Sequence, residues 1–306
     1  MDRVSRQAIL GLDFYLATKS HFAEVLARDN RFQDIAPRTF VFPQDFERWQ
    51  AAVAAEPETI WISKPGSGAR GEGIYLVTDP AAVEPKSNTV LQEYIANPHL
   101  IDGYKYTLRF FVAVTSLDPL QVWVFPDGLT KLTTQPFTTD RAFLDNRFAH
   151  LTNPTVLRGD TSADFAKQRM THVEYRQRLR EAGIDDAKLF KDIHEVIAKS
   201  LLAVCEPVLK VLKQGAENGI ETNGQFMLIG YDILVDDQMR PWMIEANAGP
   251  SLEPEAGNDT ATGRRERELK EEVAEGMLIL AGVLPKRETR FEPLPTVVTK
   301  IKTPHA

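Results

Sequence analysis

The sequence predicts an α+β fold, and three stretches carry that prediction. Residues 226–248 form two short apolar runs joined by a polar turn at Asp236, Asp237 and Gln238, the pattern of paired strands. Residues 61–77 read as strand, glycine-rich loop, strand. From Asp185 to Gln214, Leu189, Ile193, Val196, Ile197, Leu201 and Val204 recur near helical spacing, which gives one long helix.

The elements follow in chain order. The stretch from Arg3 to Asp29 turns helical in its second half, around Phe14, Leu16, Phe22, Val25 and Leu26. Phe40 to Pro43 is a short strand, and Asp45 to Ala55 is a capped helix. In the stretch from Trp61 to Val77, Gly66, Gly68, Gly71 and Gly73 allow positive φ and close approach of backbone to an anion. Successive amides in such a turn form an anion-binding nest. Lys64, ending the incoming strand, adds a point charge suited to phosphate. No long helical pattern follows the loop, so it is neither a P-loop nor a dinucleotide fingerprint. A flexible lid over a nucleoside triphosphate fits better than either; the alternative is a surface hairpin with a glycine loop.

Thr89 to Ile95 is a β-like run ending at Asn97-Pro98. In the run from Leu100 to Thr115, Lys105, Thr107 and Arg109 alternate with Tyr106, Leu108 and Phe110. Period-two alternation puts Lys105 and Arg109 on one strand face. That face is either a clamp for a triphosphate or a half-exposed surface in water. Asp164 to Ala182 carries Arg169, Arg176, Arg178 and Arg180, as a solvated helix face or a peptide-binding one. Pro207 is expected to kink or end the first segment of the long helix. In the later pair of strands Asp232 interrupts the first apolar run, Glu245 the second, and Asn247 follows two residues on. Side chains two apart on a strand share a face, and a hairpin brings Asp232 beside them. Three converging oxygen ligands suit a hard cation such as Mg²⁺; the same residues suit a solvent-facing hairpin with ordinary acids. Gly263 to Leu284 is a helix with Arg264, Arg265 and Arg267 in its first turns, where positive charge opposes the dipole. Pro285 to Ala306 is an extended tail.

Taken in order, WISKPGSGARGEGI, LQEYI, IDGYKYTLRFFVAV, HLTN, GYDILVDD and WMIEANAGPSL resemble the successive signatures of tubulin–tyrosine ligase and its relatives, members of the ATP-grasp superfamily. The resemblance implies an ATP-grasp fold: a short N-terminal lobe over 1–55, a central lobe with the glycine-rich lid over 56–98, a C-terminal lobe with the Mg²⁺ site over 99–285, and a tail over 286–306. It implies a ligase that joins a free amino acid to a peptide or protein carboxylate, using ATP and Mg²⁺. Lys64 then meets the phosphates beneath the glycine loop, to which Gly71 belongs. Gln92 and the backbone of Glu93 and Ile95 hold the adenine edge, and Lys105 lies against the nucleotide. Arg109 faces the γ-phosphate, and Asp232, Glu245 and Asn247 hold Mg²⁺. Asn153, in HLTN, lies beside the reaction centre. Two positions depart from the family. Thr107 stands where relatives often carry an acid near the ribose. Lys131 stands where they often carry an arginine near the substrate carboxylate, and lysine lacks the planar two-donor fork.

A net charge of −7 disfavours broad nucleic-acid or acidic-membrane binding. The single cysteine, Cys205, sits in an apolar helical run and reads as a core residue. Met1 to Ser20 lacks the apolar core of a secretory signal, and no apolar run reaches membrane-spanning length, so a cytoplasmic protein is expected. Two other functions remain compatible: a small-metabolite ligase on the same core, and a nucleotide-binding pseudoenzyme. The intact set of Lys64, Arg109, Asp232, Glu245 and Asn247 argues against the second.

Overall fold

The computed structural model of the chain describes residues 8–68, 71–162, 164–221, 224–254 and 260–294. Helices α1 (Leu12–Leu16) and α2 (Lys19–Ala27) lead into strand β1 (Thr39–Phe42) and helix α3 (Phe46–Ala55). Strands β2 (Trp61–Pro65), β3 (Tyr75–Leu76) and β4 (Thr89–Glu93) complete a four-stranded antiparallel sheet in the order β1-β4-β2-β3. Strands β5 (Leu100–Ile101), β6 (Tyr104–Leu117) and β7 (Leu120–Leu132) begin a second sheet. Short helices α4 (Arg147–His150) and α5 (Pro154–Leu157), strand β8 (Arg169–Thr171), helix α6 (His172–Glu181) and helix α7 (Asp186–Glu217) follow. Strands β9 (Met227–Val235) and β10 (Pro241–Ala248), helix α8 (Ala261–Leu280) and strand β11 (Glu292–Pro293) end the described chain. The second sheet has seven strands: β10-β9-β6-β7-β11 is the main path, β5 adds to β6, and β8 adds to β7. All the pairings in both sheets are antiparallel.

Alternation along β6 sorts its side chains between two faces. Tyr106, Leu108, Phe110, Val112 and Val114 enter the main core with Ile193, Ile197, Leu201, Val204 and Val208 of α7. On the opposite face Phe111 and Ala113 pack with Leu269, Val273 and Met277 of α8. Lys105, Thr107 and Arg109 share that second face toward the start of the strand. It does not meet water there: Lys105 and Thr107 are each 5% exposed. In the smaller sheet Phe40, Trp61 and Leu91 pack toward Trp49 of α3, while Ile62 and Leu76 face Tyr94, Leu144 and Leu151.

Three local expectations change. Helix α7 does not end at Pro207; it runs through that residue for 32 residues. Val204 and Val208, on either side of the proline, are fully buried in the main core. Packing of that apolar stripe outweighs the one backbone bond proline removes. The arginine-rich stretch after Asp164 divides into a 3₁₀ turn, β8 and α6. Helix α6 starts where it does because the Thr171 hydroxyl accepts from the Glu174 amide and the Glu174 carboxylate accepts from the Thr171 amide, a complete capping box. Asp45 does not cap α3: its carboxylate accepts instead from the Val41 amide at 3.0 Å. The expected tail lies largely in residues 295–306, outside the described residues. Its earlier part supplies β11, paired with β7. Cys205 is buried in α7, and burial pushes its thiol up to about 11, which makes it a packing residue.

The core also holds neutral histidines. His172 is fully buried between the rings of Phe110 and Phe190. Burial pulls it down to about 3 and pulls His194 and His150 to about 4, against an ordinary value of 6.5. Between those limits the unfolded chain binds more protons than the folded one, so stability falls as pH is lowered. Urea unfolding at pH 7, 6 and 5 should show a decline of up to about 1.4 kcal/mol per pH unit for each histidine. His172→Asn should reduce that slope by up to one proton, whatever it does to absolute stability. An unchanged slope in the variant would show that His172 is not held neutral.

Candidate active site

The site starts from strand register. Arg109 of β6 lies opposite Asp232 of β9, and Asp232 lies opposite Glu245 of β10. Thr107 lies opposite Lys131 of β7, and Lys131 lies opposite Arg169 of β8. Directly paired residues share a sheet face, so one face carries this whole charged row. Asp232 is its hub. Arg109 donates to both its carboxylate oxygens, Nε at 2.9 Å and Nη2 at 2.7 Å, and Lys131 Nζ donates at 2.7 Å. Burial acts to raise the pKa of Asp232, but Arg109 and Lys131 together outweigh it and hold the carboxyl well below its usual range. Arg169 is 6% exposed, beside Lys131 in the row.

A β-bulge sets the phase of β10. The register with β9 shifts between Met243 and Glu245. Met243 and Ala246 therefore both enter the main core, while Ile244 and Glu245 both face the space in front of the sheet. Asn247, opposite Gly230, donates to the Gly230 carbonyl at 3.4 Å. A side chain at Gly230 would force its neighbours to shift: a Cβ there would lie 2.8 Å from Pro250 and 3.2 Å from the Arg109 guanidinium. Glycine lets the turn after β10 close down beside Arg109.

The smaller sheet faces this row across a cleft of about 620 Å³, lined by Lys19, Lys64, Gln92, Glu93, Ile95, Lys105, Asn153 and Glu245 among others. Ile62, Ile74, Leu151 and Leu234 supply its apolar walls. Lys64 Nζ donates to Gln92 Oε1 at 2.6 Å, and burial pulls its pKa down to about 8. Lys105 Nζ donates to the Tyr94 hydroxyl at 2.8 Å and the His150 carbonyl at 3.0 Å, and burial pulls it down to about 7. A buried lysine near neutrality regains its proton when an anion arrives, so both are suited to an anionic ligand. The Thr107 hydroxyl bonds that of Thr152 at 2.8 Å. Gly71 adopts φ of +77° against Asn153; a Cβ there would come within 3.0 Å of the Asn153 amide, and Arg147 donates to the Gly71 carbonyl at 2.8 Å.

The sequence-derived residues thus fall into two groups. Lys64, Gln92, Glu93, Ile95, Lys105 and Asn153 line the cleft, with Gly71 against Asn153. Arg109, Lys131 and Asp232 form the charged row on the sheet. Glu245 belongs to both, and Asn247 lies two residues further along β10, opposite Gly230. Among the described residues no three His, Cys, Asp or Glu side chains are placed to hold a metal by themselves. Two carboxylates in register plus one amide do fit Mg²⁺, which takes one or two carboxylates and completes its shell with phosphates and water. Sequence reading missed Lys19, a lone lysine in no motif, and passed over the buried hydroxyls and ring of Tyr94, Thr152 and His150. Among the described residues no helix is long and apolar enough to cross a membrane.

Buried lysines over a carboxylate floor, between two antiparallel sheets, make a cleft suited to an anionic ligand. The chain belongs to the tubulin-tyrosine ligase family, which it matches over residues 13–290. A tubulin polyglutamylase of Danio rerio is 31% identical over 254 residues, covering 81% of this chain and 31% of the relative. A probable tubulin polyglutamylase of Homo sapiens is 32% identical over 241 residues, covering 75% of this chain and 38% of the relative. A tubulin monoglutamylase of Homo sapiens is 28% identical over 260 residues, covering 82% of this chain and 21% of the relative. The chain therefore spans between about a fifth and two fifths of the length of these relatives.

The hub makes a direct prediction. Asp232→Ala leaves Arg109 and Lys131 buried without their shared carboxylate. Unfolding by urea should show a loss of about 3 kcal/mol, the lower end for breaking a buried ion pair from one side. A variant as stable as the parent would mean that the row is solvated.

Proposed function

We propose that the chain is an ATP-dependent carboxylate–amine ligase that joins an amino acid to a peptide or protein carboxylate through an acyl phosphate. The convergence of Lys64, Lys105 and Glu245 on one cleft, in a chain of this family, carries the reading. The two sheets then act as the jaws of an ATP-grasp fold, with residues 56–98 bearing the lid, 99–285 the floor and 1–55 a small third lobe. The named relatives are tubulin polyglutamylases and a monoglutamylase. Glutamate is accordingly the first amino acid to test, and an acidic tubulin peptide the first acceptor.

In this reading the adenine lies between the apolar walls with Gln92, Glu93 and Ile95 at its edge. Ribose recognition at Thr107 falls to a hydroxyl, already paired with Thr152, in place of a carboxylate. The acceptor carboxylate attacks the γ-phosphorus, the bond to the β-phosphate oxygen breaks, and ADP leaves. The amine then attacks the acyl carbon, a C–N bond forms, and phosphate departs with the electron pair while the amine gives up a proton. Phosphoryl transfer of this kind needs positioning and charge balance more than covalent help. Lys64 and Lys105 hold phosphate oxygens in a site that excludes water. Arg109, fixed in a two-pronged bond to Asp232, faces the γ-phosphate. Asp232, Glu245 and Asn247 would hold Mg²⁺, which would supply further neutralisation of phosphate charge. Lys131, with Arg169 beside it in register, suits a substrate carboxylate, and Asn153 under Gly71 closes the front. An acyl phosphate survives only where water is kept out, a task that falls to the glycine-rich lid.

The test is ADP release with each single amino acid against carboxylate-bearing peptides, with products read by mass. ADP release with no mass gain on any peptide would sink the ligase reading.

Two substitutions separate binding from chemistry. Lys64 meets charge present in the ground state, whereas Arg109 meets charge that moves during transfer. Arg109→Ala should lower turnover at least about a hundredfold, as expected for losing one electrostatic donor, with near-normal ATP affinity. Lys64→Ala should show the larger loss of ATP affinity. Calorimetry beside turnover at saturating ATP decides; loss of ATP binding in Arg109→Ala with intact binding in Lys64→Ala would reverse the two roles.

A further inference from the structure

Lys19 opens helix α2, far in sequence from the rest of the site, yet its ammonium reaches the centre of it. Its Nζ donates to Glu245 Oε1 at 2.8 Å and to the Gly68 carbonyl of the glycine loop at 3.1 Å. Its backbone amide donates to the Gly66 carbonyl at 3.0 Å. Three segments therefore meet on one residue: the N-terminal helices, the glycine loop and the bulged strand β10. The pair is sheltered, with side-chain exposures of 12% for Lys19 and 15% for Glu245. Lys19 also stands between the main cleft and a second cavity of about 450 Å³ behind it, and lines both.

The charge balance of the floor singles this contact out. Asp232 is matched by Arg109 and Lys131. Glu245, its register partner, has Lys19 as its ion-pair partner among the described residues. Two neighbouring carboxylates without those cations would repel each other in a sheltered site. Lys19 engages Oε1 of Glu245, one of the two oxygens that a divalent cation bound there would draw on.

We infer that Lys19 is the empty cleft's stand-in for the divalent cation: it neutralises Glu245 until nucleotide phosphates bring that cation in, and it then yields the carboxylate while staying beside the phosphates at Gly68. This rests on the nucleotide reading above. The consequence is a coupling between one lysine and one metal. Without Mg²⁺, Lys19 bridges Glu245 and the phosphates and supports nucleotide binding by itself. With Mg²⁺, part of the metal's benefit is spent displacing Lys19 from Glu245.

The experiment is a binding cycle on the full chain. Affinity for a non-hydrolysable ATP analogue is measured by calorimetry in EDTA and in excess Mg²⁺, for wild type, Lys19→Met, Glu245→Gln and the double variant. Thermal melts report folding, and Lys19→Gln serves if Lys19→Met does not fold. Lys19→Met should lose most affinity in EDTA and little in Mg²⁺. The ratio of the two affinities should rise at least about tenfold over wild type, the lower end for one charge-assisted hydrogen bond. In the Glu245→Gln background the same substitution should leave that ratio unchanged. A ratio in Lys19→Met equal to or below the wild-type value overturns the role given to Lys19 and leaves the nucleotide reading standing. Wild-type protein that binds no analogue under either condition overturns both.

Discussion

The buried carboxylate of Asp232, gripped by Arg109 from one neighbouring strand and by Lys131 from the strand beyond, is the constraint around which the rest of the site is arranged. A charge row inside a sheet is tolerable only if each member has a partner of opposite sign in good geometry. That demand fixes the register of β6, β7 and β9 as firmly as the apolar face does. A slip of one residue would send Arg109 into the main core and Phe110 into the cleft. The electrostatics and the hydrophobic pattern thus enforce the same alignment, and the catalytic geometry proposed above is a by-product of it.

The larger sheet is divided along its length as well as between its faces. On the face opposite α7, Phe111 and Ala113 are sealed by α8, while Lys105 and Thr107 toward the start of the strand line the cleft. One strand, continuous from Tyr104 to Leu117, thereby serves as scaffold at one end and as site at the other. The rigid half holds the polar half in place, which is what a site that works by positioning requires. The smaller sheet has its own two-sided packing around Trp49, Trp61 and Leu91 on one side and Ile62 and Tyr94 on the other. It therefore brings Lys64 and Gln92 to the cleft on an independently packed surface.

Much of this was legible because strand chemistry has a period of two. Lys105, Thr107 and Arg109 announced one face, and Asp232, Glu245 and Asn247 announced another, before any fold was known. The sequence did not say whether those faces were wet or buried, since that depends on which sheet lies opposite. Lys19 was illegible for a different reason. A single lysine at the start of an amphipathic helix looks like any solvated lysine, and only the fold reveals that its neighbour is Glu245. Pro207 does not end the helix because the local rule about backbone bonds is outweighed by Val204 and Val208 packing on either side. Arg169 was hidden in a stretch whose charge suggested one exposed helix, whereas Thr171 and Glu174 cut that stretch into a strand and a capped helix.

The bulge in β10 sits where the apolar wall of the cleft meets its carboxylate floor. Because Met243 and Ala246 share the core side while Ile244 and Glu245 share the cleft side, the extra residue adds one outward side chain and leaves the facing of Glu245 unchanged. Without Ile244, Met243 opposite Ile233 would be followed directly by Glu245 opposite Asp232, and Asn247 would stay opposite Gly230. What such a deletion removes is the apolar wall that Ile244 gives the cleft. Length at this point is therefore read out as the shape of the cleft, while the charged register is preserved.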